Sequence, residues 1–496
     1  MRVAPVDRRL FGAFVEHLGR CVYDGLYEPG HPSADADGFR SDVVELVREL
    51  GVSTIRYPGG NFVSGYRWED GVGPRELRPR RLDLAWHSLE TNEVGLHEFA
   101  SWTELVGAEL MLAVNLGTEG IRSALSLLEY ANHPAGTTLA DSRRANGAEQ
   151  PFGIRMWCLG NEMDGPWQLG HMTADQYGSL AARTASAMRM FDPGLELVVC
   201  GSSHASMPTF GEWERIVLEH CYPHVDHISL HAYYQERNHD LGSFLASAVQ
   251  LESFIEAVAA TVKHVKHRLR EDRTIGLSFD EWNVWYLDEF EASGRVTDGW
   301  PRAPRLLEDV YTVADAVVVG SLLIALLKHS DHVRAASLAQ LVNVIAPIMT
   351  EPGGPAWRQT TFLPFATTSR LAGGNVLLPA VTSPSYETAL YGDVAAIDAV
   401  ATHDTETGDT AVFLVNREQQ PCTLTIDLRD LGAARLLEAS TLADDDPYAQ
   451  NTLQQQTRVS LRPNGSASLS GGTLTLTLPP ISWSACLVVT PERASP

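Results

Sequence analysis

The sequence is poor in several features that would each have announced a function. Its six cysteines, Cys21, Cys158, Cys200, Cys221, Cys422 and Cys486, lie far apart and form no CxxC pair. A zinc ribbon or a thioredoxin-type centre is therefore unsupported. Four of the six sit in apolar or strand-like runs, where a buried free thiol is expected. Positive charge is also scarce. Lys plus Arg total 38 against 62 Asp plus Glu, a formal net charge of −24. Such a chain repels phosphate backbones and anionic lipid heads, so neither a nucleic-acid nor a membrane partner is expected. The most basic stretch, Arg75 to Arg81, is broken by Glu76 and Pro79 and reads as a loop. The longest apolar run, Ala316 to Leu327, stops at Lys328 and is too short to cross a bilayer. The opening residues MRVAPVDRRLFG carry no apolar signal core, so a cytoplasmic protein with reduced thiols is expected. No GxGxxG follows the first predicted strand, which argues against a dinucleotide-binding domain.

What remains is an ordinary globular composition, 44% hydrophobic and 20% charged over 496 residues. Up to about Gly373, short apolar runs alternate with amphipathic helical patterns. Eight runs read as strands: Leu10–Glu16, Ser53–Tyr57, Glu109–Asn115, Arg155–Gly160, Glu196–Gly201, His227–Tyr233, Ile275–Asp280 and Ala335–Leu341. Most are nearly continuous apolar stretches, as parallel strands buried on both faces require. Phe39, Val43, Val44, Val47 and Leu50 recur at helical spacing and stop at Gly51, a suitable C′ residue. Thr173 with Gln176 fits a capping box. Eight β/α units fit a (β/α)8 TIM barrel over residues 6–373. Beyond it, Ala411–Asn416, Cys422–Leu428, Arg435–Leu442, Thr473–Leu478 and Ser482–Val489 read as short antiparallel strands, Thr473–Leu478 in strict alternation. Residues 374–496 are thus expected to form a C-terminal β-sandwich. The polar segment Asp444–Thr457 is expected to be an exposed loop.

Catalytic groups of a barrel come from the C-terminal ends of its strands. Seven of the eight predicted ends are polar: Glu16-His17, Arg56 leading to Asn61, Asn115, Asn161-Glu162, His231 to Tyr234, Asp280 to Asn283, and Gln340 with Asn343. One such end is easily a cap or a loop anchor, but seven together point to a site. Glu162 after strand 4 and Glu281 after strand 7 form a pair of carboxylates, as glycoside hydrolysis needs: one protonates the leaving oxygen, the other attacks or activates water. Amides and aromatic rings suit a sugar, and Trp68, Trp86, Trp157, Trp167, Trp282 and Trp285 supply rings, about half of them expected in the core. Metal chemistry is the competing account. His17, His171, His204, His231 and His239 are available, but none forms HxH or HExxH, so no metal and no cofactor is expected.

Long segments carry a resemblance. FVEHLGR (Phe14–Arg20), YPGGNFVSGYRWEDGVGP (Tyr57–Pro74), WCLGNEMDGPWQLGH (Trp157–His171), FDEWNVWY (Phe279–Tyr286) and LAQLVNVIAPIMTE (Leu338–Glu351) closely resemble the intracellular α-L-arabinofuranosidases of glycoside hydrolase family 51. The resemblance runs from about Arg9 to the last strand. It implies an exo-acting, retaining hydrolase that releases terminal α-L-arabinofuranosyl residues from arabinan- or arabinoxylan-derived oligosaccharides. It also implies Glu162 as general acid/base, Glu281 as nucleophile, Asn161 on the sugar 2-hydroxyl, and Glu16, Asn61 and Gln340 on other hydroxyls. Tyr233 and Arg56 would steady Glu281 with His231 in support, and Trp86 and Trp285 would shape the pocket. A homo-oligomer is implied, a hexamer being common in the family. The family's sandwich takes a strand from residues ahead of the barrel. Here few residues precede barrel strand 1, so either the sandwich lacks that strand or the true start lies upstream, residues 1–5 being the stretch at hand that could join the sandwich. The alternatives are a clan relative acting as β-xylosidase or endo-glucanase, and a sugar-binding protein without activity.

Overall fold

The computed structural model describes residues 1–293, 299–432 and 434–490. The end of the expected C-terminal domain, residues 491–496, lies outside them.

Eight parallel strands close into a barrel in chain order. They are Gly12–Phe14, Thr54–Tyr57, Glu109–Val114, Met156–Leu159, Glu196–Val199, His227–Tyr234, Gly276–Val284 and Val333–Ala339, called barrel strands 1 to 8 below. All eight predicted runs are present, and the fold is a TIM barrel followed by antiparallel sheets. The helix Ser41–Leu50 ends at Gly51 in the left-handed conformation, and Thr173 and Gln176 form a reciprocal capping box on the helix Ala174–Phe191. Under the barrel, Arg9 hydrogen-bonds Glu109 and Glu196, tying the starts of strands 3 and 5 together.

The C-terminal sandwich faces a seven-stranded sheet against a three-stranded one. In the smaller sheet Leu474, Leu476 and Leu478 are fully buried while the threonines between them are not, as the alternation requires. Arg2–Pro5 pairs antiparallel with Asn375–Leu377, so the sandwich does receive an N-terminal strand. Four residues suffice because the partner strand is itself only three long.

Two features were not expected from the sequence. The segment 444–457 is anchored, not free. Ala449 and Pro447 accept hydrogen bonds from the first amides of the helix Val313–Lys328, and Tyr448 bonds Glu236 on the barrel rim. Unsatisfied helix N-terminal amides seek acceptors, and this segment provides them. The second is that helix itself. It contains the apolar run Ala316–Leu327, and its residues up to Leu327 are buried on every side between barrel and sandwich. Gly320 makes the contact possible: a Cβ there would lie 2.2 Å from Trp483 of the sandwich. Residues from both parts form one continuous core, including Leu10, Phe279, Leu322, Phe413 and Trp483. Among the described residues no helix is long and apolar enough to cross a membrane.

Candidate active site

The site lies at the C-terminal mouth of the barrel, where the polar strand ends converge. Strand 4 stops at Leu159, and the chain then turns through Gly160 and Glu162, both at positive φ (93° and 45°). A regular strand would send Asn161 and Glu162 to opposite faces. The left-handed step at Glu162 lets both reach the pocket. Strand 7 runs on past its predicted end to Val284, so Glu281 lies within it, not after it. The strand's register slips against strand 6 between Ser278 and Glu281. Such a bulge re-aims side chains, and here both Asp280 and Glu281 face Arg56, at 3.8 and 2.8 Å.

Glu281 is held from three sides. Arg56 Nη1 donates to Oε1 at 2.8 Å and the Tyr233 hydroxyl to Oε2 at 2.6 Å, while His231 Nδ1 stands 3.7 Å away. His231 and Tyr233 lie two apart on strand 6 and so share a face. Burial works against a charge on Glu281, yet His231, Arg56 and Tyr233 hold it below the usual carboxylate range. Glu162 has a different environment. Burial and the nearby Glu281 charge push it up, and the hydrogen bonds from His231 and Trp167 only partly oppose this. His231 Nδ1 lies 2.9 Å from Glu162 Oε1, and Trp167 Nε1 donates to Oε2 at 2.7 Å. His231 itself is raised, because two carboxylates outweigh its burial. Oppositely shifted proton affinities are what a division into acid and base between two carboxyl groups requires.

Atoms of Glu162, His231 and Glu281 fall within 4.8 Å of one another. These residues are also the cluster best able to hold a metal ion. The carboxylates are, however, already bonded to protein N–H and O–H groups, as in a proton-handling pair. Their nearest oxygens are close enough for both carboxyl groups to act on one bond.

The remaining predicted residues line the same pocket. Asn161 Oδ1 accepts from Arg56 at 2.6 Å, and its Nδ2 has only a 3.5 Å contact with Asn61. Glu16 accepts from the Phe62 amide and from Trp86 Nε1, and Gln340 Nε2 donates to it at 3.2 Å. Burial, opposed by the Phe62 and Trp86 bonds, pushes Glu16 up to about 8. Trp285 packs edge-on against Tyr233. Of the six tryptophans considered, Trp68, Trp157 and Trp282 are core, whereas Trp86, Trp167 and Trp285 are at the site.

Trp167 was a candidate ring in the sequence without a stated role, and Asp83 and Gly60 were not singled out at all. Trp167 is half exposed, yet its ring N–H donates to Glu162. Asp83 holds the backbone of Trp86 in place. Gly60 carries no side chain because a Cβ would lie 3.1 Å from Glu281 Oε1. The PGGN run was visible, but only the folded backbone shows that the second glycine faces the carboxylate.

Two family models match this chain: the α-L-arabinofuranosidase 1 domain over residues 46–251 and the α-L-arabinofuranosidase C-terminal domain over residues 280–482. An exo-α-(1→6)-L-arabinofuranosidase of Bifidobacterium longum is 61% identical, covering 97% of this chain and 94% of that protein. The chain belongs to the α-L-arabinofuranosidases of glycoside hydrolase family 51, a retaining family. Another of its members, an intracellular exo-α-(1→5)-L-arabinofuranosidase of Streptomyces lividans, is 59% identical over 100% of this chain and 75% of its own length. A solved family 51 arabinofuranosidase from B. longum superposes with a TM-score of 0.96 at 52% identity, covering 99% and 97% of the two chains. The Thermotoga maritima enzyme in complex with arabinose gives 0.87 at 33% identity, covering 99% and 98%.

Proposed function

We propose that the protein removes terminal α-L-arabinofuranosyl residues from oligosaccharides by double displacement, with Glu281 as nucleophile and Glu162 as acid/base. The observation that carries this reading is the opposed pair a few ångströms apart: His231, Arg56 and Tyr233 lower the proton affinity of one carboxyl, and burial raises that of the other. Glu281 attacks the anomeric carbon while Glu162 gives its proton to the departing oxygen. Glu162, now a base, then takes a proton from the water that releases the sugar. Asn161 Nδ2, held only by its long contact with Asn61, is placed to hydrogen-bond the sugar beside the anomeric carbon, and Glu16, Asn61 and Gln340 are set to take other hydroxyls. Glu16, Asn161, Glu281 and Gln340 are nearly buried, which supports a closed end that admits one terminal ring.

The names of relatives of nearly equal identity differ in linkage, α-(1→6) for one and α-(1→5) for the other. Both linkages join arabinose to a primary, CH2-borne oxygen. We therefore assign this chain to primary-hydroxyl linkages.

The roles are tested by Glu281→Ala and Glu162→Ala. The first should abolish turnover of every arabinofuranoside. The second should cripple natural linkages but still allow arabinosylation from a nitrophenyl leaving group, and azide should then yield an arabinosyl azide of retained configuration. Equal losses by Glu162→Ala on good and poor leaving groups would remove it from the acid role. Faster release from α-(1→2) or α-(1→3) linkages than from α-(1→5) would overturn the primary-hydroxyl assignment.

A further inference from the structure

A second pocket of about 360 Å³ opens beside the catalytic one. That volume lies within the usual range for small-molecule sites. Its position is informative. Tyr233, whose hydroxyl bonds the nucleophile, forms one wall. His204 forms another and stacks on Trp167, the same indole that grips Glu162. The pocket therefore lies on the flank of the acid, the side on which a leaving group departs.

Its chemistry suits a sugar. The lining mixes rings with neutral amides and hydroxyls: Tyr233, Tyr234 and Tyr391, with Gln235, Gln250 and Ser247. Gln250 spends its carbonyl on the Tyr234 hydroxyl at 2.6 Å, an arrangement that keeps its NH2 for another partner.

The outer wall is not part of the barrel. It is the tip of a hairpin, Ser385–Thr388 with Gly392–Ala395, projecting from the sandwich. The hairpin is fastened to the barrel: the Leu390 amide bonds Ser243 Oγ at 3.2 Å, and the Tyr386 hydroxyl bonds the Gly242 carbonyl at 3.0 Å. Yet the Leu390 side chain is left 65% exposed. Leu390 thus forms an apolar edge at the pocket, on a backbone held fixed by the barrel.

We infer that this pocket is a leaving-side subsite, walled by the sandwich hairpin, that holds sugar units of the substrate beyond the first one after the scissile bond. This rests on the activity proposed above. It makes the sandwich a determinant of chain-length preference.

The test compares arabinotriose with a nitrophenyl arabinofuranoside, which has nothing to place in the pocket. Two variants reach it independently: Tyr391→Ala strips the hairpin wall, and Ser206→Trp fills the mouth from the exposed loop after strand 5. Each should lower kcat/KM for arabinotriose about tenfold, the scale of losing one fitted contact, and leave the nitrophenyl substrate unchanged. Wild-type kcat/KM should also rise from arabinobiose to arabinotriose, and both variants should flatten that rise. If Tyr391→Ala lowers both substrates together through a loosened hairpin, Ser206→Trp decides. The subsite is overturned if Ser206→Trp leaves arabinotriose untouched or slows both substrates alike. A wild-type protein that cleaves no arabinofuranoside would instead overturn the activity itself.

Discussion

At the scale of single residues, the site works through His231. Its ring lies between the two carboxyl groups, 2.9 Å from one and 3.7 Å from the other, and stabilises the ionised form of both. The proposed double displacement requires Glu281 charged and Glu162 protonated. The rate should therefore fall at low pH as Glu281 gains a proton, and at high pH as Glu162 loses one. Removing the ring raises both affinities for a proton. His231→Ala should accordingly move both limbs of the kcat/KM profile to higher pH and lower its maximum. A profile that loses height without moving would mean that His231 acts only by packing. Trp167→Phe deletes one donor to Glu162 and leaves Glu281 alone, so only the alkaline limb should rise. These residues were unequally legible in the sequence. Glu162, Glu281, Arg56 and Tyr233 stand in dense motifs at predicted strand ends. Trp167 sits in a loop, and nothing in its neighbours distinguishes a ring that grips the acid from one that packs.

At the scale of elements, regular strands were legible because burial on both faces leaves continuous apolar runs, and irregular steps were not. The left-handed residue after strand 4 and the bulge in strand 7 leave no pattern in composition, yet they aim Asn161, Glu162 and Glu281. Gly60 is a similar case. Gly60→Ala should place a methyl against Glu281 and lower kcat/KM at least tenfold while the melting temperature stays near that of wild type. A large drop in melting temperature would instead mark the glycine as a folding requirement. The hairpin 385–395 and the strand Ile397–His403 were also missed. The hairpin's residues are largely exposed and of mixed character, so no alternation marked them.

At the scale of the whole molecule, the boundary between barrel and sandwich is visible in the sequence, but their shared core is not. Composition changes near Gly373, whereas the buried helix Val313–Lys328 precedes that point and packs on both sides of it. Its all-round apolar surface follows from having no face toward water. Heating should produce one calorimetric transition, with loss of activity coincident with loss of tertiary signal. Two resolved transitions would contradict a common core. Gly320→Ala would force Trp483 away from the helix and should destabilise barrel and sandwich together by about 1–3 kcal/mol, the usual cost of overpacking, measured as a lower denaturant midpoint with an unchanged slope.

That helix also limits how such a chain can be recombined. A chimera spliced at residue 374 would join one parent's helix to another parent's Ser482–Val489 strand, setting a foreign side chain against the gap that Gly320 leaves for Trp483. The exchangeable unit is thus larger than the sandwich. It begins before Val313 and carries with it the segment Pro447–Ala449 that receives the helix amides. Crossovers placed there would still part the hairpin from Gly242 and Ser243, its anchors on the barrel, so a donor's chain-length preference would follow only if those two contacts are kept.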